Sequence, residues 1–150
     1  SATRMCFYRS LTHKVAVVGS GPSGFYTITE LFKNQQRLAK SSTSTAEPID
    51  LEVTLFDKYP TPFGLSRYGV APDHMEVKNC EETFTSIVNQ NKSKFNYVEN
   101  VTIGKDVKVD DLRKNFNSVV LSYGNTKENK RGIENEDHPK VINSKAFVAW

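Results

Sequence analysis

Three glycines, Gly19, Gly21 and Gly24, have the Gly-x-Gly-x-x-Gly spacing typical of a turn that holds a dinucleotide pyrophosphate. In such a turn the first glycine permits a tight bend and the second lets the backbone approach the phosphates. The third lets a helix pack close to a strand. Ser23 lies inside the motif, where helix N–H groups would face the phosphate charge. The motif predicts a nucleotide site, and the alternative is a turn used only for packing.

The residues on either side of the motif agree with this chemistry. Lys14–Val18 contains four apolar residues in five, which is typical of a strand buried on both faces. A helical pattern then runs from Pro22 or Ser23 to about Arg37, and proline suits the first helical turn. The motif therefore lies between a strand and a helix, as a dinucleotide site requires.

An acidic residue, Asp57, follows a second predicted strand at Leu51–Phe56. A carboxylate at that position accepts hydrogen bonds from ribose hydroxyls and would repel a 2′-phosphate. The site is therefore expected to hold NAD or the ADP half of FAD, and not NADP. A polar loop at 40–49 accounts for the long spacing between Gly24 and Asp57. The alternative is an ordinary exposed aspartate.

The segment 58–72 has three prolines and two glycines, so it predicts an irregular loop. Its aromatic and aliphatic side chains must lie against a planar cofactor or a neighbouring domain. No cysteine pair lies between Asp57 and Cys80, which argues against flavin enzymes that use a redox disulfide. Three classes remain: a flavin-dependent oxidoreductase, an NAD-dependent dehydrogenase, and a nucleotide-binding module without chemistry of its own.

The rest of the chain alternates helices and strands. We expect a helix capped by Asp73 with Glu76, a strand around Asn96–Ile103, a helix capped by Asp110, and a buried strand from Ser118 to Gly124. The first of these helices has one apolar face, which contains Val77, Cys80, Phe84, Ile87 and Val88. This order predicts an α/β fold, a Rossmann-like domain with a mainly parallel sheet and helices on both faces, incomplete in this chain.

Composition sets wider limits. The chain has 150 residues, which is long enough for one domain with a core. It is 37% hydrophobic and 25% charged, with a net charge of +3, and no apolar run is long enough to span a membrane. No nucleic-acid partner is expected. A metal site is not expected either, since Cys6 and Cys80 have no metal-ligand spacing. Residues 1–13 lack acidic residues and are expected to be a presequence remnant or a disordered leader before a domain at 14–150.

Four blocks resemble one family, the adrenodoxin reductases, which are mitochondrial-type ferredoxin–NADP⁺ reductases. The blocks are VVGSGPSGFYT at 17–27, PFGLSRYGVAPDH at 62–74, EVKN at 76–79 and VVLSYG at 119–124. The resemblance extends from Lys14 to Trp150 in the same order. It departs from the family in an enlarged 38–50 loop and in Asp57, where glutamate is usual.

The resemblance implies a flavoprotein that takes hydride from NADPH and passes single electrons to a small acidic [2Fe–2S] ferredoxin of the adrenodoxin type. FAD contacts would be made by Ser23, Asp57, Leu65 and Ile103, while Gly19, Gly21 and Gly24 shape the turn. The NADP site would lie outside this chain. No residue is given a catalytic role, including Asp73 and His74. A mitochondrial location is implied, in the matrix or in peripheral contact with the inner membrane.

Family members are considerably longer than this chain. We therefore expect it to be a fragment of a two-domain enzyme that alone binds FAD weakly or not at all and is inactive. The alternatives are a glutamate-synthase-like flavin oxidoreductase and a truncated adenine-nucleotide-binding module.

Overall fold

A computed structural model describes residues 12–40, 49–71, 73–125, 129–143 and 147. Residues 1–11 of the predicted leader, residues 41–48 of the polar loop, Pro72, and residues 126–128, 144–146 and 148–150 lie outside this description. The elements in chain order are β1 Thr12–Val18, α1 Pro22–Lys40, β2 Asp50–Phe56, α2 Leu65–Tyr68, α3 Met75–Lys78, α4 Cys80–Gln90, a 3₁₀ turn at Lys92–Lys94, β3 Phe95–Val98, α5 Val109–Asn115 and β4 Ser118–Leu121.

The four strands form one sheet in the order β3-β2-β1-β4, and every pair is parallel. Each connection between paired strands passes through helical segments, as parallel pairing requires. The chain adds β2 and β3 on one side of β1 and then places β4 on the other. The carboxyl ends of β1 and β4 therefore flank the point where the strand order reverses, which is where α/β sheets bind ligands.

The two faces of the sheet have separate cores. Val15 and Val17 of β1 pack with residues of α1 and α4, whereas Ala16 and Val18 pack on the opposite face with Leu112 of α5. Successive strand residues point to opposite faces, so a central strand covered on both sides must be apolar throughout. The predicted α/β class, parallel sheet and helices on both faces are confirmed.

Several predicted boundaries differ from the structure. β1 begins at Thr12 instead of Lys14, because Thr12 and His13 pair with the start of β2. The strand predicted around Asn96–Ile103 ends at Val98, and Asn100, with φ 57°, turns the chain away from the sheet. The segment 58–72 was expected to be wholly irregular but contains the single helical turn α2. β4 is only half-buried, since it lies at an edge of the described sheet.

The two predicted helix caps are wrong. His74, not Asp73, is the N-cap of α3, and its Nδ1 lies 3.2 Å from Glu76 Oε1, so Glu76 contacts a ring instead of closing a capping box. Lys108 is the N-cap of α5. Asp110 lies within the first turn, where the positive end of the helix dipole stabilises its negative charge. The predicted apolar helix is also divided at Asn79 into α3 and α4.

α1 is the longest element, with 19 residues, and it is amphipathic. Its buried residues are Gly24, Phe25, Ile28, Thr29 and Phe32. In the ranges that the structure describes, no helix combines the length and the apolar character needed to cross a membrane.

Replacement of Ile28 by alanine should test this core. Ile28 is fully buried against β1 and β2, so Ile28→Ala is expected to lower the free energy of unfolding by about 2–5 kcal/mol. Leu38→Ala is the matched control, because Leu38 lies on the same helix but is 56% exposed, and its effect should stay within about 0.5 kcal/mol. Denaturant unfolding of the full-length protein measures both, and equal losses would contradict the packing described here.

Candidate functional site

The glycine turn starts with Gly19, which directly follows β1. Its φ is +106°, a conformation that favours glycine, and its N–H donates to Phe56 O at 2.8 Å. A Cβ added to Gly19 would collide with the backbone of Ser122 and Tyr123, which follow β4. Position 19 therefore requires glycine, because the ends of β1, β2 and β4 lie too close together there to leave room for a side chain.

Gly24 has an equally tight environment for a different reason. It lies in the first turns of α1, and an added Cβ would collide with Gly19 O. The hydroxyl of Ser122 also approaches, because it donates to Val18 O at 3.0 Å and to Gly19 O at 3.2 Å. Gly24 thus allows the helix to begin directly against the turn. Ser122 supports the turn from the neighbouring strand, a role that its place in the sequence does not reveal.

Gly21 differs from these two glycines. A Cβ added there would meet no heavy atom within 4 Å among the described residues, so packing does not require glycine at this position. The N–H of Phe25 donates to Gly21 O at 3.2 Å, and the N–H groups before it lie at the start of α1, where they have no partner within the helix. The open space beside Gly21 therefore favours a ligand-binding turn over one used only for packing.

Asp57 lies at the end of β2 and is joined to the glycine turn through Ser20. Its Oδ2 accepts hydrogen bonds from Ser20 N at 2.6 Å and Ser20 Oγ at 2.5 Å, and its Oδ1 accepts one from Tyr59 N at 2.9 Å. A carboxylate has about four acceptor positions, so one on Oδ1 remains for a ribose hydroxyl. Ser20 is fully buried, and nothing in the motif spacing indicated its bond to Asp57.

Tyr97 of β3 brings a hydroxyl to the same region. The hydroxyl donates to Tyr59 O at 3.5 Å. Burial raises the pKa of Tyr97, the nearby Asp57 charge adds to this, and a hydrogen bond with Ser20 opposes it. The hydroxyl therefore keeps its proton at neutral pH and acts as a donor beside Asp57.

The predicted site residues are only partly brought together. Gly19, Gly21, Ser23 and Gly24 form one turn, with Ser23 in the first turn of α1. Asp57 is bonded to that turn through Ser20, and Leu65 begins α2 directly after Gly64, although its side chain lies outside the description.

Ile103 lies in the segment after β3, outside the four-stranded sheet. It bridges to Val107 and packs against the α5-side core, and its link to the site runs through Val101, whose N–H donates to Asp57 O at 2.9 Å. Across the described ranges, no group of three or more metal-ligating side chains occurs.

Comparisons with known proteins agree with this geometry. No family model matches the chain. It is 48% identical over 91% of its length to the probable mitochondrial NADPH:adrenodoxin oxidoreductase of Saccharomyces cerevisiae, and 42% identical over 93% to the mitochondrial NADPH:adrenodoxin oxidoreductase of Homo sapiens. The solved structure of Mycobacterium tuberculosis FprA in complex with NADPH superposes with a TM-score of 0.80, at 31% identity, over 93% of the chain.

The chain belongs to the adrenodoxin reductase family. It spans 27% of the yeast relative, 25% of the human relative and 29% of the FprA chain, so it corresponds to about a quarter of an adrenodoxin reductase. The sequence resemblance and the Rossmann-like fold are thereby confirmed. The FAD contacts at Ser23, Asp57, Leu65 and Ile103 stay predictions.

Unfolding measurements can distinguish the roles of Gly21 and Gly24 in this adrenodoxin reductase segment. Gly24→Ala places a Cβ against Gly19 O and is expected to destabilise the protein by about 1–3 kcal/mol. Gly21→Ala faces open space and should stay within about 0.5 kcal/mol of wild type. Thermal unfolding of both variants without ligand measures the difference, and an unfolding loss for Gly21→Ala as large as that for Gly24→Ala would refute this division.

Proposed function

We propose that this chain is the part of an NADPH:adrenodoxin (ferredoxin) reductase that holds the ADP end of FAD. The observation that carries the proposal is the contrast among the three glycines: two are enclosed by the fold, while Gly21 borders open space at the helix N-terminus. A pyrophosphate approaching Gly21 would meet N–H donors and the positive end of the α1 dipole.

Asp57 supports FAD over NADP at this turn. Its carboxylate has one acceptor position left for a ribose hydroxyl, and its negative charge would repel a 2′-phosphate. Ser20 and the Tyr59 N–H hold this carboxylate in place before a ligand arrives. The NADP site is therefore proposed to lie outside these 150 residues.

The chemistry of the whole enzyme is proposed from its relatives. FAD, when bound, accepts electrons in pairs from NADPH and releases them singly, which suits a [2Fe–2S] ferredoxin acceptor. Gly21 and Asp57 would bind and orient the ADP end. No proton transfer is assigned to Asp73 or His74, both of which are exposed. The names of the relatives support a mitochondrial location, and peripheral contact with the inner membrane is part of the proposal.

The full-length protein should carry about one FAD per chain and show the visible spectrum of an oxidised flavin. NADPH is expected to bleach that spectrum and to support reduction of an adrenodoxin-type [2Fe–2S] ferredoxin, followed by the change in ferredoxin absorbance. NADH should be a poor substitute. A colourless protein would overturn FAD binding. A flavoprotein that oxidises NADPH without reducing the ferredoxin would point to the glutamate-synthase-like alternative.

Asp57→Asn should weaken FAD binding about tenfold, because a hydrogen bond to a charged acceptor is worth about 1.5–3 kcal/mol and the amide retains part of it. Titration of the apoprotein with FAD, followed by quenching of flavin fluorescence, gives the dissociation constant. Asp110→Asn is the matched control, since Asp110 is an exposed aspartate of α5 far along the chain from the glycine turn. An unchanged affinity in Asp57→Asn would exclude the ribose contact.

A further inference from the structure

Phe63 has a backbone conformation that its side chain disfavours. Its φ is 84°, in the left-handed region that bulky aromatic residues rarely adopt. Such a conformation persists only where the surrounding contacts hold it. Two contacts of Phe63 do so, one made by its ring and one by its N–H group.

The ring of Phe63 closes an aromatic cluster between α1 and α4. Its centroid lies 4.9 Å from that of Phe25 and 6.3 Å from that of Phe84, and these two rings stack on each other at 4.9 Å. Phe25 and Phe84 are both buried, so the cluster is part of the core. The Arg67 guanidinium lies 6.0 Å from the centroid of the Phe63 ring. The side chain therefore anchors the loop to two helices.

The N–H group of Phe63 binds the glycine turn itself, because it donates to Ser20 O at 2.9 Å. The N–H and hydroxyl of Ser20 donate to Asp57. Both ends of the loop from Asp57 to Phe63 are therefore hydrogen-bonded to the same buried residue, Ser20. Phe63 O then accepts a hydrogen bond from Ser66 N at 3.1 Å, which fixes the entry into α2.

The next residue, Gly64, shows the consequence. It is also left-handed, with φ 49°, and a Cβ built on it would lie 3.6 Å from Gly21 Cα and 4.0 Å from Gly21 N. The Phe63–Gly64 pair therefore lies against the glycine that borders the open space. A shift of this pair would change the space beside Gly21.

We propose that Phe63 is a positioning residue of the cofactor site. Its ring, held between α1 and α4, keeps the left-handed Phe63–Gly64 pair against Gly21, so that the loop and the glycine turn are assembled before FAD binds. This inference rests on the proposed function, and Phe63 acts through Gly64 and Ser20 without touching the cofactor.

The test uses the full-length protein and two matched substitutions. Phe63→Leu is expected to raise the FAD dissociation constant about tenfold in an apoprotein titration. Phe32→Leu makes the same chemical change in the same core, at a fully buried residue of α1, and should leave the FAD dissociation constant within about twofold of wild type. Phe63→Tyr keeps the ring and should retain wild-type affinity.

Amide hydrogen exchange in the apoprotein gives a second readout. It distinguishes local loosening of the loop from a general loss of stability. The N–H of Phe63 and those of α2 should exchange faster in Phe63→Leu, while those of β1 and β2 keep their wild-type protection. In Phe32→Leu the loop should be unaffected. Phe63→Met, a flexible side chain that fills the same space, replaces Phe63→Leu if that variant does not fold.

The outcomes separate the two proposals. Equal changes in FAD affinity for Phe63→Leu and Phe32→Leu, or unchanged exchange of the loop in Phe63→Leu, would overturn the positioning role while leaving FAD binding intact. A wild-type protein that takes up no FAD would overturn the proposed function itself.

Discussion

Ser20 is the residue on which the site depends, because all of its polar groups are used to join other segments. Its N–H and hydroxyl donate to the Asp57 carboxylate, and its carbonyl accepts from the Phe63 N–H. It is completely buried, so these bonds are shielded from water and an unsatisfied partner would be costly. Through this residue the end of β1, the end of β2 and the loop after β2 form one unit.

The three glycines of the motif have different roles within that unit. Gly19 and Gly24 are required by the fold, because Ser122 and the turn itself occupy the space where a side chain would be. Gly21 is not required by the fold, and its open side is where a pyrophosphate would approach. The motif therefore combines a packing requirement with a binding requirement, and the spacing alone does not separate them.

The parallel sheet explains why these groups meet. The carboxyl ends of β1, β2 and β4 lie side by side, and each strand is followed within two residues by a short polar residue: Ser20, Asp57 and Ser122. Under the proposed function this edge binds the ADP end of FAD. The remaining three-quarters of an adrenodoxin reductase would then supply the NADPH site and the flavin surroundings.

The sequence by itself determined the elements with local signals: the apolar run of β1, the amphipathic α1, the alternation of β2 and the glycine spacing between them. These follow from residue periodicity and from backbone freedom, which are properties of neighbours in the chain. Only the tertiary structure decided that Asp73 and Asp110 cap no helix, that β3 ends at Val98, and that Ser20 binds Asp57. It also determined the left-handed backbone conformation of Phe63, since that conformation depends on rings from two helices that are distant in the sequence. Contacts between residues far apart in sequence leave no periodic pattern, so local reasoning could not find them.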